Sequence, residues 1–83
     1  MHIYLELYAS LMEYLPPGQG RHRRELHIDA ADTPHAVLDR LGIPRERAHL
    51  ALRNGVYLSR PQRDEALFEA GDVFALWPPV AGG

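Results

Sequence analysis

The stretch Gly71-Asp72-Val73-Phe74-Ala75-Leu76-Trp77-Pro78-Pro79-Val80-Ala81-Gly82-Gly83 decides how the chain is read. Gly71-Asp72 is a turn signal, and the apolar run Val73–Trp77 that follows it predicts a buried strand. Pro78-Pro79 must stop that strand, because proline has no N–H to give to a ladder. Gly82-Gly83 then offers a thread with no side chains and nearly free backbone dihedrals. Such a thread enters a narrow channel that any Cβ atom would block, which makes the Gly83 carboxylate the candidate reactive group. The alternative is a frayed end, the usual state of termini.

Working outward, residues 2–8 alternate, with Ile3, Leu5 and Leu7 on one face and His2, Tyr4, Glu6 and Tyr8 on the other. That is the pattern of a half-buried strand. Residues 9–15 predict one or two helical turns, ended by Pro16-Pro17-Gly18. A glycine-rich loop, Gly18-Gln-Gly-Arg-His-Arg, leads to a second alternating strand over 23–29, expected antiparallel to the first. Thr33-Pro34 opens a helix, with Thr33 as N-cap and Pro34 in the first helical position. Val37, Leu38 and Leu41 form its apolar stripe, and Gly42 with Pro44 ends it. A third strand is expected at 49–53 with Leu50 and Leu52 inward. Asn54-Gly55 is a two-residue hairpin signal that returns the chain as a short strand, Val56–Leu58. Residues 60–71 form a polar connection anchored by Leu67 and Phe68.

One helix with one apolar stripe and a sheet that needs one cover lead to an α+β arrangement: a mixed sheet of about five strands with the helix on one face. The strand 73–77 is expected to be central, beside the first strand. This is β-grasp, ubiquitin-like architecture, divided into a domain over 1–77 and a tail over 78–83. The expected core is Ile3, Leu5, Leu7, Leu26, Ile28, Val37, Leu38, Leu41, Leu50, Leu52, Phe68, Phe74 and Leu76. By parity Tyr4, Val73, Ala75 and Trp77 lie on the opposite face. Apolar residues where a two-layer fold should present polar ones mark a partner interface, with Trp77 as its anchor. The competing reading folds Trp77 over its own sheet edge or onto the 9–15 segment.

Composition excludes several classes. At 83 residues, 46% hydrophobic and 24% charged, the chain is one ordinary globular domain. A formal charge of −2 argues against a general nucleic-acid binder. With no cysteine, any sulfur chemistry must use sulfur brought by a partner. No membrane-spanning run or signal-peptide pattern is present, so a cytoplasmic location is the expectation. All basic residues are arginine, which reflects codon usage more simply than function. The histidines show no ligand spacing, so no metal site is expected. The 18–24 loop reads as a hairpin loop in preference to an anion cradle, lacking the lysine and following helix of a nucleotide loop. The acidic residues over 64–72 have no cleft to work in, and neither serine has a nucleophile context. An enzyme in its own right is not expected.

The 71–83 stretch, the opening strand, the Thr33-Pro34…Leu38-Asp39-Arg40-Leu41-Gly42 helix and the Asn54-Gly55 turn together resemble the MoaD/ThiS family of ubiquitin-like sulfur carriers. The Pro-Pro-Val-Ala-Gly-Gly ending is most similar to that of the small subunit of molybdopterin synthase. The resemblance implies that Gly83 is the residue activated. A partner related to ubiquitin-activating enzymes uses ATP to form an acyl-adenylate there, and sulfur then displaces AMP to leave a thiocarboxylate. Gly82 gives clearance, Pro78, Pro79, Val80 and Ala81 thread into partners, and no cofactor is bound by the carrier itself. The molybdopterin synthase large subunit would accept the tail, and its sulfur would build the dithiolene of molybdopterin. Other acceptors on the same scaffold stay open: thiazole, thiolated tRNA, cysteine, or a protein modified through Gly83. A plain β-grasp interaction module is the third reading. Trp77, where such tails often carry phenylalanine, and the long 9–22 connection both depart from the compact members.

Overall fold

The computed structural model describes residues 1–80. Its strands are β1 (His2–Leu7), β2 (Arg23–His27), β3 (Leu50–Arg53), β4 (Val56–Tyr57) and β5 (Val73–Trp77), and its one α-helix is α1 (Pro34–Leu41). Short 3-10 segments occupy Ala9–Tyr14, Arg45–Arg47 and Pro61–Asp64. The sheet order is β2-β1-β5-β3-β4, with β1 and β5 parallel and every other pair antiparallel. The first and last strands therefore meet at the centre, and the chain leaves the domain from β5. This is the β-grasp, ubiquitin-like fold.

Local chemistry sets the helix. The Thr33 hydroxyl accepts the Ala36 amide at 3.0 Å, and Pro34 fills the first turn, where a missing N–H costs nothing. Gly42 ends α1 in the left-handed region at φ 76°, and the Ile43 amide returns to the Leu38 carbonyl. That closure carries Ile43 into the core. At the β3–β4 turn, Asn54 and Gly55 both have positive φ, the conformation that suits the twist of a tight hairpin.

β1 contributes Ile3, Leu5 and Leu7 to the core and β5 contributes Phe74 and Leu76, all fully buried. Val37 and Leu38 of α1 lie in the same cluster, joined by Leu11, Ile28, Ile43, Ala48, Leu58 and Phe68. Leu26 and Leu41 pack at its margin. Leu50 and Leu52 do not point inward as expected. Ala51, 1% exposed, is the inward residue of β3, and its neighbours are half-buried. The register explains the reversal. Ala51 stands opposite Leu76, whereas Leu50 and Leu52 stand opposite Trp77 and Ala75. Directly paired residues share a face, so the inward side chains of β5 dictate the inward side chain of β3.

Two polar groups are buried with the core. Arg63, 6% exposed, donates to the carbonyls of Leu58, Ala48 and His49 and so ties the 61–64 turn to the start of β3. Asp72, ahead of β5, accepts from Arg53 Nε at 2.7 Å, Asn54 Nδ2 at 2.9 Å and the Glu69 amide at 2.8 Å.

Candidate functional site

The tail begins where β5 stops. Trp77 ends the strand, Pro78 is half-buried, and Pro79 and Val80 are exposed. Ala81, Gly82 and Gly83 lie outside the described residues.

The sheet face opposite α1 carries the expected partner-facing residues Tyr4, Val73, Ala75 and Trp77, brought together by the β1–β5 register that sets Tyr4 against Val73. Ala75 differs from the others. It is only 6% exposed and forms the floor of the face. Leu50 and Leu52 lie on this face as well, in register with Trp77 and Ala75, and Tyr57 is paired with Leu52. Tyr57 of the edge strand is 54% exposed on this face, whereas Val56, paired with Arg53, belongs to the other. The apolar area is thus a band across β5, β3 and β4, larger than the patch legible from sequence. The β2 side of the same face is charged, with His27, Glu25 and Arg23 opposite His2, Tyr4 and Glu6.

Trp77 stacks on Tyr8 with ring centroids 4.4 Å apart and planes 6° from parallel, and Tyr8 stacks in turn on His22 at 4.6 Å. One face of the indole is therefore covered from within. Alternation placed Tyr8 on this face but not against Trp77; its amide bonds to the Leu76 carbonyl, which sets its ring beside the indole. The column is braced by polar contacts. The Tyr8 hydroxyl donates to Glu6 at 2.8 Å, and Arg23 holds the same carboxylate at 2.6 Å. Burial pushes the Glu6 carboxyl up, but the bonds from Arg23 and Tyr8 outweigh it and hold the group below its ordinary value. The Tyr8 phenol is raised, first by that bond to Glu6 and then by burial.

The 18–24 loop is organised around a cation. The Arg24 guanidinium donates to the carbonyls of Pro16, Gln19, Gly20 and Arg23 at 2.7–2.9 Å. Carbonyl oxygens converging on an arginine have the polarity opposite to an anion cradle. A Cβ at Gly18 would sit 2.8 Å from the Arg24 side chain, so the loop closes tightly there. His2 and His27 are cross-strand neighbours with ring nitrogens 3.4 Å apart. Among the described residues, no group of three or more His, Cys, Asp or Glu side chains is placed to hold a metal ion. Nor is any described helix long and apolar enough to cross a membrane.

In this ubiquitin-like domain, which is not a catalytic enzyme fold, the central strand β5 runs straight into Pro78-Pro79. Residues 5–83 match the ThiS family, and the chain belongs to it. The structure is similar to the crystal structure of SAMP1 from Haloferax volcanii, with 26% identity, a TM-score of 0.65 and full coverage of both chains. It is also similar to a crystal structure of H. volcanii small archaeal modifier protein 1, with 26% identity and a TM-score of 0.63 over 95% of this chain and 98% of the other. No curated protein sequence gives a significant match.

Proposed function

We propose that this chain is a sulfur carrier whose Gly83 carboxyl is the reactive group. The observation that carries the reading is the family match itself, which runs through Gly82-Gly83 at residue 83. An adenylating partner related to ubiquitin-activating enzymes joins the carboxylate to the α-phosphate of ATP with loss of pyrophosphate. A sulfur nucleophile supplied by the partner then attacks the acyl carbon, AMP leaves, and a thiocarboxylate remains. The catalytic groups belong to the partners. What this chain supplies is a positioned nucleophile: a tethered sulfur replaces a bimolecular encounter with an oriented one. The band of Tyr4, Val73 and Trp77, extended by Leu50, Leu52 and Tyr57 over the Ala75 floor, is the surface on which the activating enzyme and the acceptor sit. Pro78, Pro79, Val80 and Ala81 span the distance to the partner's site, and Gly82 passes its narrowest point.

The Pro-Pro-Val-Ala-Gly-Gly ending favours molybdopterin formation as the sulfur sink, with the molybdopterin synthase large subunit as acceptor. A second reading has its own support: the full-length similarity to a small archaeal modifier protein favours attachment of Gly83 to other proteins.

The test is intact-mass measurement after incubation with a ThiS-family activating enzyme, ATP and a sulfur source. The wild type should gain the oxygen-to-sulfur mass difference, and a variant with one alanine added after Gly83 should not. Sulfur gain by the extended variant would defeat the proposal. Adding the large subunit and the pterin precursor then separates the sinks, because loss of the thiocarboxylate without molybdopterin excludes the first.

A further inference from the structure

An open groove of about 730 Å³ runs between the first turn of α1, the 45–47 turn, the start of β3 and the 61–64 turn. Arg45, Arg60 and Arg63 line it. Arg45 is paired with Asp39 at 2.8 Å, and the Asp64 carboxylate on the groove wall is occupied by His35 at 2.8 Å. Arg63 is different. It is almost wholly buried, its guanidinium donates only to backbone carbonyls and lies 5.7 Å from the centroid of the Tyr57 ring, and among the described residues it forms no ion pair. Carbonyl dipoles satisfy its N–H groups without cancelling its charge. Arg60, exposed at the rim, also has no carboxylate partner among the described residues, and Glu46 is the one acidic lining group left unpaired. Among the side chains that line the groove, the three arginines outnumber the two carboxylates, on a chain that is negative overall.

Its position adds a second observation. Leu50 and Tyr57 line the groove and belong to the apolar band, and Leu50 is in register with Trp77. The groove thus opens beside the point where the tail leaves the sheet, continuous with the surface assigned to the partner.

We propose that this groove receives an acidic segment of the protein partner that handles the tail, its carboxylates facing Arg60 and Arg63 while apolar residues beside them rest on Leu50 and Tyr57. The inference rests on the docking face described above. Complementary charge at the rim of an apolar contact governs encounter and orientation more than raw affinity. An acidic strand of the partner in this groove would hold the tail's origin at a fixed angle to the partner's channel.

The test uses the intact chain, labelled with nitrogen-15, and the peptide acetyl-(Glu-Asp)₄-amide, with acetyl-(Gln-Asn)₄-amide and inorganic phosphate as separate arms. The acidic peptide should shift the amides of His49, Leu50, Arg60 and Arg63, with the effect weakening as salt is raised. Arg60→Glu, a change at an exposed side chain without hydrogen bonds, should preserve the spectrum and weaken the peptide roughly fivefold. Absence of these shifts, equal shifts with the neutral peptide, equal shifts with phosphate, or an unchanged affinity in R60E would each overturn the assignment. Peptide binding needs neither activation nor sulfur, so its failure would leave the carrier reading standing.

Discussion

Asp72 shows how a single side chain holds the site's frame. Burial alone would raise its carboxyl, yet the Glu69 amide, the Asn54 side chain and Arg53 together keep it below the ordinary 3.8. Those bonds tie the β3–β4 turn to the entry of β5, and the Asn54 Oδ1 accepts the Val73 amide from the same corner. Asp72→Ala removes three charge-assisted bonds at once and should cost about 2–4 kcal/mol of stability, measured by urea unfolding. Loss of less than about 0.5 kcal/mol, the range of an ordinary surface change, would show that the network is incidental. Arg63 is the counterpart one turn earlier in the fold. Nothing in the local sequence distinguishes it from Arg60, because its partners are carbonyls 5 to 15 residues away. The proximity of His2 and His27 was hidden for the same reason, since only the strand register reveals it.

At the scale of elements, legibility followed contrast. β1 alternates polar with apolar residues and Leu26 and Ile28 continue that alternation at the end of β2, so these inward faces could be read directly. The helix was legible because caps are local chemistry: Thr33, Pro34 and Gly42 each act within a few residues. β3 was misread because Leu50, Ala51 and Leu52 are all apolar, leaving side-chain size as the only guide to which face is inward. Size pointed the wrong way, because both faces of β3 are apolar and Leu50 and Leu52 lie on the outer one, in register with Trp77 and Ala75. This corrected register is testable. Ala51→Leu should overfill the core and destabilise by about 1–3 kcal/mol. Leu52→Thr, on the half-buried outer face, should cost about 1 kcal/mol or less, since threonine suits a strand. The opposite ranking in thermal or urea unfolding would restore the original inward assignment. The tail residues of the proposed site were named from sequence, whereas the band's extension through Leu50, Leu52 and Tyr57 required the strand order.

For the whole molecule, acid is the expected weakness. Glu6, Asp32, Asp39 and Asp72 all have carboxyls held below their ordinary values of 4.5 for Glu and 3.8 for Asp. A carboxyl depressed in the folded state contributes stability that is complete above its unfolded value and lost as pH falls through its folded value. Stability should therefore be level above about pH 5.5, and fall progressively from there to pH 3. Tyr8 acts at the other limit. Its raised phenol contributes stability present below its ordinary 10.0 and lost as pH rises beyond it. Melting temperatures across pH 3–7 check the acid limb, and a flat profile would contradict it. The position of β5 between β1 and β3 has a mechanical consequence. Under the proposed function, a partner drawing on Pro78-Pro79 would pull along the strand axis, and the load would be shared in shear by the hydrogen bonds of both flanking ladders. Pulled from an edge strand, the same tail would peel its ladder one bond at a time. A handle on the central strand would let the domain be towed without being unravelled.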